Sequence, residues 1–381
     1  MDDDVFEQAL AEVRRFVRTE VLPREAEIDE RDEIPASLKK QAAEMGLFGF
    51  AIPEEYGGLG LTMAQEEALV VELSYAAPAF RSMLGTNNGL AGQILVMAGT
   101  DEQKQQWLPR IASGEVIASF GLTEPDAGSD PSSLRTTARA DGDEFVLDGT
   151  KRWITNAPAA DLVMIFARVQ GGDGADGGIS VFAVPTDTPG FEVGPNDHKM
   201  GQAGSLTAEI YLTGVRVPAS SRVGGDEGYR IAMRSVARGR LSVASICVGM
   251  MRRLLDESTE FAIGRRQGGS RIADYQLIQA MLAESATELY AAESMLQRAA
   301  IAYDAGTLGR TEPSMVKYFA SEAVGRVADR AVQIHGGMGY MRGVAVERLY
   351  RDARLFRIYE GTSQIQQLII GRGVVKAAEQ G

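Results

Sequence analysis

Glu360 is the residue whose neighbours best equip it for chemistry. It lies in Arg357-Ile358-Tyr359-Glu360-Gly361-Thr362-Ser363-Gln364, immediately before a glycine and the expected start of a helix. Ser363 and Gln366 have the spacing of a capping box, so the chain is expected to arrive extended and turn helical there. A carboxylate at such a junction can enter a cleft while its own backbone N–H stays free to bind a carbonyl oxygen. That pair of groups suits removal of a proton beside a carbonyl. The same sequence also fits a solvated glutamate at a helix N-terminus, where negative charge is favoured.

Three further segments precede it: Phe120-Gly121-Leu122-Thr123-Glu124-Pro125-Asp126-Ala127-Gly128-Ser129-Asp130, Trp153-Ile154-Thr155, and Gln333-Ile334-His335-Gly336-Gly337-Met338-Gly339-Tyr340. Taken singly, the first reads as an entry loop to a β domain and the second as a strand tryptophan in a core. In this order, and with Tyr359-Glu360-Gly361-Thr362, they resemble the acyl-CoA dehydrogenase family of flavoproteins over nearly the whole chain.

The resemblance implies FAD as cofactor and α,β-dehydrogenation of an acyl-CoA thioester to the trans-2-enoyl-CoA, in fatty acid metabolism. Glu360 would abstract the α-proton while the β-hydride leaves for flavin N5. The Glu360 amide and a flavin ribityl hydroxyl would hold the thioester carbonyl. Phe120, Leu122, Thr123, Gly128 and Ser129 would line the flavin, with Ser129 also facing the CoA moiety. Trp153, Ile154 and Thr155 would cover it from the β side. Arg265 and Gln276 would reach FAD, the arginine near its pyrophosphate and across a subunit boundary, Gln333, Gly336 and Gly337 would clamp the adenosine diphosphate, and Thr362 and Gln364 would add flavin contacts. Arg240 and Gly361 would touch the acyl-CoA. The resemblance further implies a homotetramer and an electron-transferring flavoprotein as electron acceptor.

This chain departs from the family at two places. Ala237 stands where relatives often carry an aspartate, and Gly268-Gly269 where they usually have phenylalanine and glycine. Some branched-chain members place their glutamate at the position of Gly239, which has no side chain to offer. A flavin-dependent oxidase or monooxygenase of the same fold, and a non-catalytic acyl-CoA-binding relative, remain as alternatives.

The elements that must hold these residues fall into three stretches. Residues 1–117 are expected to form an α-helical domain. Val5, Leu10, Val13, Phe16, Val17 and Val21 approximate a helical period, Thr62 with Gln65 caps one helix, and Asp101 caps the helix through Trp107. Residues 118–224 carry short alternating runs and are expected to form an antiparallel β domain, with Asp141-Gly142 as a hairpin turn. Gly171 to Gly178 reads as a connector. Residues 225–381 are helical again, with Leu282, Leu289 and Leu296 spaced at sevens in a segment from 272 to 305, as in a four-helix bundle. The fold class expected is thus α+β and multidomain.

Composition narrows the partners. The 52 acidic against 39 basic residues give a net charge of −13, which argues against nucleic acid. One cysteine, Cys247, allows no intrachain disulfide and points to a reducing compartment, the cytoplasm. Cys247 lies in an apolar helical run and is expected in the core. Two histidines and one cysteine make a zinc site a poor fit. No run of about 18 apolar residues indicates a membrane span.

Overall fold

The computed structural model describes residues 1–170 and 176–380. Helices α1 (Asp3–Phe16), α2 (Glu25–Arg31), α3 (Ala36–Glu44), α4 (Met63–Leu73), α5 (Pro78–Gly85), α6 (Ala91–Ala98) and α7 (Asp101–Ala112) come first. α1 buries Phe6, Leu10, Val13 and Phe16, a stripe at helical spacing. Val5 is exposed, because Phe6 takes the inward position one residue later. Thr62 and Gln65 form the expected capping box of α4. The cap of α7 is Thr100, paired reciprocally with Gln103. Asp101 sits inside the first turn instead, where its charge still favours the helix.

Strands β1 (Ala118–Gly121), β2 (Thr137–Asp141), β3 (Glu144–Thr155), β4 (Leu162–Gln170), β5 (Asp176–Pro185), β6 (Phe191–Val193), β7 (Thr207–Pro218) and β8 (Arg222–Val223) follow. The sheet order is β6-β7-β3-β2-β4-β5-β8, with β1 also on β4. Asp141 pairs with Glu144, so the β2–β3 turn is centred on Gly142 and Asp143, one residue beyond the expected pair. Gly142 takes φ +67°, which glycine adopts at no steric cost. The sheet is mixed and not wholly antiparallel: β1 and β2 both run parallel to β4. Both reach β4 through connections long enough to return the chain in the same direction, which a tight hairpin cannot do. Of the predicted Gly171–Gly178 connector, residues 171–175 lie outside the described residues.

The last stretch holds α8 (Gly228–Gly264), a small hairpin of β9 (Arg266–Gln267) and β10 (Ser270–Arg271), then α9 (Gln276–Asp304), α10 (Glu312–His335), α11 (Ala345–Ala353) and α12 (Ser363–Gln380). α9 begins later than the segment from 272, because Ile272–Asp274 forms a separate 3-10 turn. α10 packs against α8, α9, α11 and α12, giving the bundle. One apolar core joins α1, α4 and α5 to α8, α9 and α10, and Cys247 lies fully inside it. Asp304, at the end of α9, accepts from the Met63 and Ala64 amides at 2.7 and 2.9 Å and so anchors the start of α4 on the bundle. Among the described residues no helix is long and apolar enough to cross a membrane.

Candidate active site

The chain reaches Glu360 through a 3-10 turn, Arg354–Arg357. Glu360 then takes φ +53° and Gly361 φ +86°. The left-handed region is uncommon for a residue with a Cβ and persists where neighbours hold it. Those neighbours are identifiable. Lys317 Nζ donates to the Gly361 carbonyl at 2.7 Å. Gln366 Nε2 donates to the carbonyls of Glu360 and Gly361 at 3.1 and 3.0 Å. The expected capping box is therefore replaced. Thr362 Oγ1 takes the cap by accepting from the Ile365 amide at 3.2 Å, while the Ser363 hydroxyl turns to Glu322 Oε1. Gln366 serves carbonyls and not the N–H of Ser363.

This turn leaves the Glu360 N–H without an acceptor among the described residues. Its Oε2 is buried and also lacks a partner. A Cβ placed on Gly239 would stand 3.2 Å from that oxygen and 3.5 Å from Leu90 Cδ2. Gly239 is thus the floor against which the carboxyl lies, and the two positions converge on one point. Burial raises the Glu360 pKa above the ordinary carboxylate value, opposed by the charges of Arg240, Lys317 and Arg81. Arg240, one residue past Gly239, donates to Ser314 Oγ at 3.2 Å and leaves its buried Nε unpartnered. Arg81 on α5 donates to Ser242 and likewise leaves Nε unpartnered. Sequence reasoning passed over Arg81 and Lys317, and gave Gln366 a capping role in place of the carbonyl clamp it forms. The one available signal was a lysine inside the apolar run Met315-Val316-Lys317-Tyr318-Phe319.

The loop after β1 is built on a buried ion pair that sequence reasoning also missed. Lys151 Nζ meets Glu124 Oε1 at 2.7 Å, with both side chains nearly or wholly buried. Glu124 also accepts from the Arg135 and Thr136 amides at 2.6 and 2.9 Å. Its own backbone bridges Ala127, so the carboxylate fixes the shape of Thr123–Asp130. The Arg152 amide donates to Thr123 O at 2.9 Å and ties this loop to the Trp153 segment. Leu122 and Ile154 are buried, Thr123 and Thr155 are partly exposed, and Gly128 and Ser129 are open. Phe120 leans on Phe166 with ring centroids 5.0 Å apart. Trp153 takes φ +54° and is 58% exposed, so a large aromatic face stands in solvent where a strand tryptophan would ordinarily pack. Next to it, Asn156 ties the end of β3 to α5 through Ser82 O and Thr86 Oγ1. Arg81, on that helix, acts on the Glu360 carboxyl, and Leu90, just past the helix, meets the Gly239 position beside it.

The remaining predicted contacts gather elsewhere. Arg265 and Gln276 are exposed at the far end of α8 and the start of α9, and Gln333, Gly336 and Gly337 are exposed at the end of α10. Phe261 stacks on His335 between them, 4.2 Å apart. From Gly239 to Arg265 the helix rises about 39 Å at 1.5 Å per residue. That is too far for both to line one small-molecule site within a single chain. Thr362 is partly buried beside Glu360, while the Gln364 side chain faces outward.

Arg81 also faces a pair of carboxyls on α4, Glu66 and Glu67. Arg238 bonds Glu66, whose pKa burial pushes up to about 7. Glu67 has a buried, unpartnered Oε2, and burial pushes it to about 8. A carboxyl whose folded pKa exceeds its unfolded value favours the fold while both states are protonated. That contribution is lost as pH rises through the folded value. Between about pH 4.5 and 8, Glu67 should therefore make the protein progressively less stable, by a total on the order of 5 kcal/mol. Glu67→Gln should flatten the fall of the unfolding midpoint over that range. An unchanged slope in thermal melts at pH 5, 6, 7 and 8 would count against this assignment.

An open aromatic face at Trp153, a glycine whose Cβ position meets nothing within 4 Å (Gly128), and a buried orphan carboxylate oxygen fit a large planar redox cofactor beside a base. Those are features that a flavin-dependent oxidoreductase needs. Residues 4–115, 119–215 and 226–375 match the N-terminal, middle and C-terminal domains of acyl-CoA dehydrogenase, respectively. The chain belongs to the acyl-CoA dehydrogenase family and is an FAD-binding oxidoreductase. It is 40% identical to the caffeyl-CoA reductase-Etf complex subunit CarC of Acetobacterium woodii over 94% of both chains. It is 38% identical to the mitochondrial short-chain specific acyl-CoA dehydrogenase of Bos taurus, over 96% of this chain and 88% of that one. The acyl-CoA dehydrogenase of Bacillus anthracis complexed with FAD superposes with a TM-score of 0.93 at 33% identity, covering 100% of this chain and 68% of that one.

Proposed function

We propose that the protein catalyses α,β-dehydrogenation of an acyl-CoA thioester to the trans-2-enoyl-CoA, with Glu360 as the base. The observation that carries this reading is the geometry of Glu360: a buried, unpartnered Oε2 and a free backbone N–H on one residue. The N–H is available to the thioester carbonyl and stabilises charge that develops on its oxygen as the α-proton leaves. Burial raises the carboxyl toward the working pH, which matches a base to its task. The cationic groups Arg240, Lys317 and Arg81 keep enough of it ionised to accept that proton. Arg240 and Gly361 are assigned to the acyl-CoA. Leu122, Thr123, Gly128, Ser129 and Trp153 are assigned to the flavin, which when bound accepts the β-hydride and holds the two electrons.

The distal group of Arg265, Gln276, Gln333, Gly336 and Gly337 is assigned to the FAD of a neighbouring subunit, which calls for a homotetramer. The roughly 39 Å along α8 supports this, since one chain cannot close the site by itself. A native mass four times 40.9 kDa is expected for the FAD-loaded protein, and an active loaded monomer would refute the assembly.

The partner for the stored electrons is assigned as an electron-transferring flavoprotein, supported by the relative that is a subunit of an Etf complex. That relative is a reductase, so the same groups running in reverse, with Glu360 returning a proton to the α-carbon, are a second reading. Anaerobic mixing with a panel of short, medium, branched and aromatic acyl-CoAs and their 2-enoyl partners tests both. Saturated substrates should bleach the bound flavin. Absence of bleaching by any of them, with reoxidation of the reduced flavin by enoyl-CoA, would move the assignment to the reductase direction. Rapid reoxidation in air would favour an oxidase.

A further inference from the structure

Lys317 is a cation with no packing reason to be where it is. It lies on α10 between Val316 and Ala320, wholly buried, on a face whose other buried side chains are uncharged, with Ser314 and Ser321 one turn to either side. Burying an ammonium forfeits hydration that must be replaced by specific partners. Among the described residues, its hydrogen bond goes to one atom, the Gly361 carbonyl, at 2.7 Å. That carbonyl also accepts from Gln366 Nε2 at 3.0 Å, so donors from two helices, α10 and α12, converge on a single oxygen. The carbonyl belongs to the residue directly after Glu360, in the left-handed turn that aims Oε2 at the Gly239 floor. A rotation of the Gly361 peptide would break both bonds and swing the carboxyl off that point.

We infer that Lys317 is a positioning residue for the reaction, pinning the Gly361 carbonyl so that Glu360 stays aimed and biasing its carboxyl toward the ionised form. This rests on the reading of Glu360 as the base.

The groups facing Lys317 are Cys247 and Arg240 from α8, Glu360 from the loop and Glu322 from its own helix. Those facing Glu360 are Arg240, Lys317 and Arg81. Burial pushes Lys317 down to about 8, so it keeps its charge at neutral pH. Arg240 and Lys317 therefore act together on the carboxyl, but Lys317 alone of the two is bonded to the Glu360 turn.

Two variants separate the two parts of the role. Lys317→Met removes donor and charge. Gln366→Leu removes a donor to the same carbonyl and leaves the charge. Lys317→Met should keep its FAD, lower kcat roughly ten- to a hundredfold with KM little moved, and raise the pH at which Glu360 ionises by about one unit. That ionisation is read by infrared difference spectra against Glu360→Gln, independently of turnover. Gln366→Leu should lower kcat without moving the ionisation. Should Lys317→Met fail to fold, Lys317→Gln, which retains a donor but no charge, must raise the ionisation with a smaller loss of kcat. A Lys317→Met or Lys317→Gln protein that only melts earlier, with kcat and the Glu360 ionisation unchanged, overturns the inference. If Glu360→Gln itself turned over normally, the reading of the base would fail instead, so the two failures are distinguishable.

Discussion

Glu360→Gln is expected to purify with its full complement of FAD and to lose bleaching by acyl-CoA by roughly 10²- to 10⁴-fold, the usual contribution of a positioned base. The amide has the shape of the carboxyl and leaves the Gly361 carbonyl clamp in place. Only the capacity to accept a proton disappears. Because Oε2 has no protein partner, the substitution breaks no hydrogen bond at that atom, and the melting temperature should not fall. The wild type should show the complementary pH behaviour. Burial places Glu360 above the ordinary carboxylate value, so the rate should fall on acidification at a higher pH than an exposed glutamate would give. A Glu360→Gln protein that bleaches at the wild-type rate would remove the base from the proposed reaction.

Lys151→Met should be the most destabilising of the simple substitutions. It strands Glu124 as a buried charge without its cation, at the base of the loop after β1. Breaking one side of a buried pair costs about 3–5 kcal/mol. The damage should be local in its functional reading. Glu124 holds the Arg135 and Thr136 amides and hence the shape of the loop from Thr123 to Asp130, so FAD should be lost before the bundle unfolds. The double variant Lys151→Met/Glu124→Gln should recover part of the stability, because the stranded charge is gone. Denaturant unfolding, followed together with flavin release, checks the pair. A single variant as stable as wild type, or a double variant no better than the single, would show that the ion pair carries none of this.

Much of the frame was legible from local rules. Helical stripes, the Thr62–Gln65 box and the hairpin near Gly142 depend on residues a few positions apart. The errors came where an alternative partner lay close by. Thr100 displaced Asp101 as a cap, and Ser363 was drawn away from its helix by Glu322. The parallel pairing of β1 and β2 with β4 escaped because strand direction follows from connection paths, not from alternation. In the site, Glu360 announced itself through its neighbours. Lys317 did not, because its partner is 44 residues away, and neither did Asp304, which anchors a helix that begins 241 residues earlier. Glu67 was invisible for the opposite reason: a glutamate in a helix reads as a solvated face, and it is enclosed once α8 and α9 pack on α4.

The exposed indole of Trp153 gives the chain an optical property. It has two tryptophans; Trp107 is 9% exposed and Trp153 58%. Indole fluorescence shifts with the polarity around the ring, so the long-wavelength edge of the emission comes chiefly from Trp153. A flat absorber laid against that ring would quench this edge and spare the rest. The ratio of the two ends of the spectrum thus counts filled cofactor sites in a mixed sample, with no dye attached and no substrate turned over.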